Sequence, residues 1–457
     1  MKLRRKGVLA AGLAVLAAGA TVTGASAGGA GGAAGGSSVA GGRPEGSARD
    51  ALQVFYSPPV LVRAGEAVRI PVDASCATEA GGSCPVSVTF STPDVGGAWR
   101  SFSNPATPGL AFDLSASASA AVAVRASGFV PFRIAASDAW SVRAKLPPGP
   151  ADASLGFYVT RAMPRVLAPA ISFGDVVRPS RTVLSLPWGS GERKAGLELG
   201  DQSGMIGPRA FDVDGRGRIY VLDALQRRLA VFAKGRLVRQ TAIGVTGDSD
   251  LAVAPDGTAF VLKHAGPSLQ VLRIDPSGRM VGAVDLGPGI LSQITTAAGR
   301  AYVFAVPLDR WIGVPVASRA SSALISTVER PTADGGSLLR VVRDDRLRIA
   351  TVADGQVHGA LEIGTLAHFG EIALSEPDGG GGYWVVMHVW RENPTRADQY
   401  EVMHLVHGKV VRAFAVANQA FAETAPLSRF RLGPDGGVYQ LVSDPHGMRI
   451  VEFRSGE

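Results

Sequence analysis

Along the second half of the chain, apolar positions fall in short runs bounded by Gly, Pro or Asp, with no sign of the spacing of an amphipathic helix. The runs RIYVLD, TAFVLK, RAYVFAV, SLLRVV, GYWVVMH and VYQLVSD each follow a turn glycine, at Gly215, Gly257, Gly299, Gly335, Gly379 and Gly436. The intervals are 42, 42, 36, 44 and 57 residues, close to the length of one four-stranded propeller blade. Successive residues in the runs are apolar on both faces, as a strand packed between neighbouring blades requires. An aromatic follows in five of the six, at Tyr220, Phe260, Tyr302, Tyr383 and Tyr439. The pattern predicts an all-β fold with a six-bladed β-propeller over 193–457; the weak fourth mark leaves five or seven blades open. The inner strands expected are FDVD, DLAVA, QITTA, LISTV, EIALS and RFRLG. After RIVEFR (449–454) no strand remains to complete the last blade, so KAGLELG (194–200) is expected to supply it and close the ring.

Between 51 and 165 the segments LQVFY, EAVRIPVD, VSVTF, FVPFRIAASD and SLGFYVT alternate between apolar and polar positions, and Pro, Gly and Asp clusters separate them. They predict a β-sandwich. Residues 28–50, GGAGGAAGGSSVAGGRPEGSARD, have almost nothing to bury and read as a flexible linker; residues 166–192 read as a connector.

Charge and cysteines add compartment. Lys2, Arg4, Arg5 and Lys6 precede GVLAAGLAVLAAGA, and Ala25-Ser26-Ala27 supplies small residues, so 1–27 read as a signal peptide cleaved after Ala27. Its removal takes four of the positive charges behind the formal +7 and leaves +3. With no basic run of five in the mature part, a nucleic-acid partner is not expected. No later segment is long and apolar enough to predict a membrane span. In an exported chain, Cys76 and Cys84 in CATEAGGSC most simply form a disulfide, since the spacing fits neither a redox C-x-x-C nor a zinc pattern.

Two resemblances follow from these segments. GPRAFDVDGRGRIYVLDALQRRLAVFAKGRLVRQTAIG (207–244) and DLAVAPDGTAFVLKHAGPSLQVLRIDPSGRMVGAVDLG (250–287) resemble NHL repeats, although Gln226-Arg227-Arg228 departs from the usual Asn-rich corner. GAWRSF and FRIAASDAWS resemble immunoglobulin or fibronectin-III-like modules in architecture, without their Cys-Trp-Cys spacing. The first resemblance implies an interaction platform; propeller enzymes of the gluconolactonase kind imply instead a metal held by acids or histidines around the channel.

Candidate chemistry is sparse. In FDVDGRGRIYVLD, Asp212, Asp214, Gly217 and Asp223 fall where an EF-hand places ligands and turn glycine, but Arg216 takes the fifth position, and the second repeat keeps the turn without those acids. The stretch reads as a hairpin. His404 and His407 in MHLVH point to opposite strand faces. Asp212, Asp250 and Glu371 are the inner-strand acids that would hold a metal, with calcium the ion they suit. WRENPTRADQY (390–400) reads as an inserted polar loop, and Trp390, Arg391, Arg396 and Tyr400, with Trp311 in LDRWIG, have the residue types of contact hot spots. The reading is a secreted binding protein, not an enzyme, that meets an extracellular or envelope protein or glycan through its propeller loops. The alternative is a metal-assisted hydrolase or lyase using the channel.

Overall fold

The computed structural model describes strand segments between Leu52 and Asp138 and, apart from short loops, residues 156–454. The chain divides into two units, Met1–Ser47 and Ala48–Glu457, and the described residues belong to the second. The expected signal peptide, the whole of the linker at 28–50, Cys84 with its bridge to Cys76, and Arg396 lie outside the described residues.

Among the described residues, six antiparallel sheets follow one another as blades. Blade 1 is Ala210–Val213, Ile219–Asp223, Arg228–Ala233 and Arg236–Ala242. Blade 2 is Asp250–Val253, Ala259–Ala265, Ser268–Ile274 and Met280–Gly287. Blade 3 is Leu291–Ala297, Arg300–Ala305, Arg310–Gly313 and Ser326–Thr327. Blade 4 is Arg330–Pro331, Ser337–Arg343, Arg346–Ala353 and Gln356–Gly364. Blade 5 is His368–Pro377, Gly382–Arg391, Ala397–Val406 and Lys409–Ala417. Blade 6 is Phe430–Leu432, Val438–Asp444 and Gly447–Phe453, completed by Arg181–Pro187.

The two-sided apolar strands do what their pattern demands. In Ile219–Asp223 every residue is buried, with Tyr220 and Leu222 packed toward blade 2 and Ile219 and Val221 toward blade 6. Because the strands alternate in direction, the Asp-Gly turns gather on one face of the ring. The links between blades and the turns from second to third strand gather on the other, the connection face.

Ring closure is as expected in kind but uses another segment. Arg181–Pro187, not KAGLELG, pairs antiparallel with Gly447–Phe453. Its alternation buries Leu184 and Leu186 against the last blade while their neighbours face solvent, which suits a sheet edge. KAGLELG instead caps a corner of blade 1: the Gly196 N–H donates to Asp223 Oδ2 (3.1 Å) and Arg228 Nη2 to the Lys194 carbonyl (2.5 Å).

The expected connector is therefore a strap. Arg165–Leu167 adds in parallel to the outer edge of blade 4, Val177 N–H donates to Ala415 O (2.8 Å) on the outer strand of blade 5, and the chain then enters blade 6. Three successive outer edges are covered, which removes sites for unwanted strand pairing.

Two inner features also shift. LISTV does not line the channel: Ser326–Thr327 pairs as the outer strand of blade 3. Arg330–Pro331 immediately precedes the blade 4 turn, where Thr332 N–H donates to Gly336 O (3.0 Å), and so takes the inner place. In blade 1 the left-handed turn residue is Gly217 (φ 72°), while Gly215 lies against the blade 2 turn, donating to Pro255 O (3.1 Å). A Cβ at Gly215 would meet that oxygen at 2.7 Å.

Before the propeller, the strands form three three-stranded sheets, joining Leu52–Tyr56, Arg69–Cys76 and Ala111–Asp113; Leu61–Arg63, Gly156–Thr160 and Ser127–Pro131; and Trp99–Ala106, Val86–Pro93 and Arg133–Asp138. The second sheet packs on blade 4, with Leu61, Tyr158 and Met163 buried among Leu339, Ala350, Val352 and Ala360.

Candidate functional site

The channel acids serve the blades around them. Asp212 Oδ2 accepts from Val253 N–H of blade 2 (2.6 Å), and its Oδ1 accepts from Val213 N–H (2.8 Å). Asp250 Oδ2 accepts from Ile294 N–H of blade 3 (3.0 Å). Each carboxylate thus ties one inner strand to the next. Arg431 of blade 6 reaches across, with Nε 3.4 Å from Asp212 Oδ1 and Nη2 3.4 Å from Leu251 O. Burial pushes the Asp212 carboxyl up to about 6, against the pull of Arg431 and the two backbone donors. Among the described residues no group of three or more His, Cys, Asp or Glu is arranged to hold a metal ion. Glu371, the third acid singled out from the sequence, lies elsewhere, on blade 5.

Blade 5 is the long blade. Three of its strands have ten residues each, against four to six in the first three strands of blade 1. The surplus expected as a loop at 390–400 is mostly strand: Trp390 pairs with Asp398 and Arg391 with Ala397, so the insertion lengthens a hairpin on the connection face. The side chains expected as exposed contacts are largely packed. Trp390 stacks on His368 (4.4 Å) and Arg391 lies over Phe173 of the strap (4.7 Å). Trp311 is buried beside Phe304 (5.3 Å), and the Tyr400 ring is 1 % exposed, leaving only its hydroxyl for polar work.

That hydroxyl belongs to a chain of polar contacts at the seam between blades 5 and 6. Tyr400 donates to Glu371 Oε1 (3.3 Å) and accepts from Arg429 Nη1, which also donates to Asn418 Oδ1 (2.7 Å). Asn418 Nδ2 donates to Asp398, whose Oδ2 lies 3.1 Å from His388 Nε2. The His388 and Tyr400 rings are 5.1 Å apart. Below them, Val386, Val402, Phe430 and Val438 form the apolar seam, so the network caps a dry core. Glu371 reaches it through a bulge: the ladder slips between Phe369 and Ile372, leaving Gly370 and Glu371 outside the paired register.

Burial raises the Tyr400 hydroxyl well above the usual tyrosine range and Glu371 adds to it, while Arg429 opposes, so the group stays protonated. Sequence reasoning gave no role to His388, Asp398, Asn418 or Arg429 at this seam. The signal was present in HVWRENPTRADQY: once 390 pairs with 398, the two-residue period puts 388, 398 and 400 on one face.

The opposite face of the same hairpin meets the strap. Gly174 N–H donates to Gln399 Oε1 (3.1 Å), and next to it on that face Glu401 is 4 % exposed with Oε2 lacking a hydrogen-bond partner. On the turn face, His404 stacks on Trp384 (4.4 Å) and pairs with Asp378 (2.9 Å), whereas His407 takes a turn position (φ 50°). The two histidines are kept apart, but because His407 lies past the end of the strand and not on its opposite face.

No protein-family model matches the chain, and no curated protein matches it in sequence. Some solved structures are similar at low depth. A protein of unknown function from Bacteroides caccae is similar at 14 % identity, over 47 % of this chain and 87 % of that one, with a TM-score of 0.33. A streptogramin B lyase is similar at 10 % identity, over 62 % and 95 %, with a TM-score of 0.32. A gluconolactonase from Xanthomonas campestris is similar at 13 % identity, over 62 % and 90 %, with a TM-score of 0.22. Likenesses of this depth carry no activity over to this chain. They do overturn one expectation. Because the similar propellers include a lyase and a gluconolactonase, the reading of the chain as not an enzyme is withdrawn.

Proposed function

We propose that this chain is an exported propeller protein that recognises a polar extracytoplasmic ligand, a glycan or an envelope protein, on the connection face of blades 5 and 6. One observation carries the reading: His388, Asp398, Asn418, Arg429, Tyr400 and Glu371 form one run of polar contacts above an apolar seam. Sites of this kind combine an apolar floor with a few fixed polar groups that set orientation. Blade 5, with its ten-residue strands, raises these groups on paired strands rather than on a loop, which keeps them pre-organised. With this reading go an NHL-like repeat unit, an immunoglobulin-like module at 51–165 as spacer or second contact, a Cys76–Cys84 bridge and export after cleavage at Ala27.

The test is a thermal-shift screen of the mature chain with neutral and acidic oligosaccharides and with envelope-protein peptides. A ligand that raises Tm in the wild type and not in Arg429→Ala or Tyr400→Phe supports the site. A ligand that stabilises all three alike places recognition elsewhere.

Hydrolase or lyase chemistry on the same face is the second reading, favoured by the contact of His388 with Asp398 at 3.1 Å. Its metal-assisted form would require calcium to draw Asp212 and Asp250 away from the backbone N–H groups they now hold.

A further inference from the structure

The strap and the closing strand cover the outer edges of blades 4, 5 and 6, so blades 1, 2 and 3 have to protect their own. Blade 3 ends on a strand of two residues, Ser326–Thr327. Blade 1 ends on RLVRQTA, with Arg236 and Arg239 along the strand and Lys234 just before it. Short strands and basic side chains are usual means of discouraging a further strand. Blade 2 has neither. Its outer strand, Met280–Gly287, reads MVGAVDLG over eight residues, with Asp285 as the single charge. Met280 to Ala283 are all exposed, Met280 at 46 % and Val281 at 43 %. The ladder slips beside Val281 and Leu286 and stays regular from Gly282 to Asp285. An exposed apolar edge of this kind is a template for pairing with another chain.

The charges at the two ends of the strand select the partner. Arg279 stands immediately before Met280, and Asp285 lies near the other end. Arg279 is 79 % exposed and meets Asp275 through Nε at 3.4 Å. The turn that carries it is pinned by blade 1, where Thr241 Oγ1 donates to Gly278 O (2.9 Å). Two copies of this strand laid antiparallel about Gly282 and Ala283 bring Arg279 of each beside Asp285 of the other. A parallel arrangement would set Arg279 against Arg279. The edge is therefore complementary to itself in one direction only, as an isologous interface requires.

We propose that Met280–Gly287 is the pairing edge of a two-fold symmetric dimer of this chain, in which blade 2 of each copy continues the sheet of the other. Pairing satisfies backbone groups that the open edge leaves to water and covers Met280 and Val281. Two Arg279–Asp285 contacts between the copies fix the direction. An edge of eight residues makes a small interface, so the pair forms in the micromolar range. In a six-bladed ring blade 2 lies opposite blade 5, so the dimer carries its two blade 5 hairpins at its far ends.

The experiment is sedimentation velocity on the mature full chain over a concentration series through the micromolar range, with Tm measured for every variant. The wild type should pass from monomer to dimer and no further. Val281→Lys should stay monomeric with its Tm unchanged. Arg279→Glu and Asp285→Arg each place like charges across the two-fold axis, so each should raise the dimer Kd by about tenfold or more. An equal mixture of these two variants should regain a dimer, because each then offers the charge that the other lacks. The double variant, Arg279→Glu with Asp285→Arg, should regain a dimer on its own. Should Val281→Lys fail to fold, the mixture still decides, since both of its substitutions lie at exposed positions. A wild type that stays monomeric throughout overturns the proposal, as does a dimer indifferent to Val281→Lys. A mixture no more dimeric than its two components overturns the antiparallel edge, and growth beyond the dimer overturns the closed two-fold pair.

Discussion

Arg431 and Asp212 meet across the closing seam of the ring, Nε 3.4 Å from Oδ1, so the last blade neutralises the acid of the first. Both side chains are mostly covered, at 16 % and 15 % exposure. Removing one member of such a pair leaves a charge without its partner and costs about 3–5 kcal/mol when fully buried. Arg431→Leu should therefore lower stability by about 2–4 kcal/mol at neutral pH. The loss should shrink toward about pH 5, where the Asp212 carboxyl takes a proton. Adding Asp212→Asn should recover part of it. Urea unfolding at both pH values is the measurement, and a loss independent of pH would contradict the account.

Glu401 gives the opposite sign from a salt bridge. Burial alone pushes its carboxyl up to about 7. The folded chain thus keeps a proton that the unfolded chain loses near the usual glutamate range. Stability is full below that range and declines as pH rises through about 7. Glu401→Gln should stabilise by about 1–3 kcal/mol near pH 8 and have little effect near pH 4. Equal effects at the two pH values would mean that packing, not charge, sets the difference.

Much of this was legible. The two-sided apolar runs gave blades, and the exhausted C-terminus gave ring closure by an earlier strand. The segment was misjudged because KAGLELG and RTVLSLP both offer short alternations, and only pairing against Gly447–Phe453 separates them. LISTV failed for a related reason. Its apolar content suits either side of a blade boundary, and the turn at Thr332–Gly336 leaves room for just Arg330–Pro331 on the channel side. The site was half visible: Tyr400 and Glu371 were named for different roles and touch each other. His388 and Asp398 stayed hidden because reading 390–400 as a loop erased the two-residue period that joins them.

Glu362 holds the strap and the preceding sheet to blade 4. Only 2 % exposed, it pairs with Arg165 (2.6 Å), Arg346 (3.3 Å) and Arg348 (2.9 Å), and Arg348 Nη1 also donates to Leu61 O (2.9 Å). Burial would raise its carboxyl, but Arg348 and Arg165 outweigh that and hold it below the usual range. Its stabilisation is thus present above the ordinary glutamate value and lost as pH falls below it. Glu362→Gln should cost about 3–5 kcal/mol at neutral pH. It should also speed hydrogen exchange at Ala168, whose N–H donates to Gly364 O (2.8 Å). Exchange unchanged at Ala168 would show the strap to be held by its apolar contacts instead.

Two glycines of one turn should respond for different reasons. Gly217→Ala meets no neighbouring atom and suffers only from φ 72°, an effect of about 1 kcal/mol. Gly215→Ala has ordinary backbone but drives a Cβ into Pro255 O, so it should destabilise more and loosen the contact between blades 1 and 2. Thermal denaturation of both variants gives the order; the reverse order would contradict it.

The central claim is that ligand is met at the blade 5 and 6 seam. Its most direct measurement is hydrogen-exchange mass spectrometry on the mature chain, with and without a saturating ligand from the thermal-shift screen. The account predicts protection concentrated in Gly382–Arg391, Ala397–Val406 and the residues around Arg429. Protection confined to the channel strands Ala210–Val213 and Asp250–Val253, with the blade 5 hairpin unchanged, would contradict it.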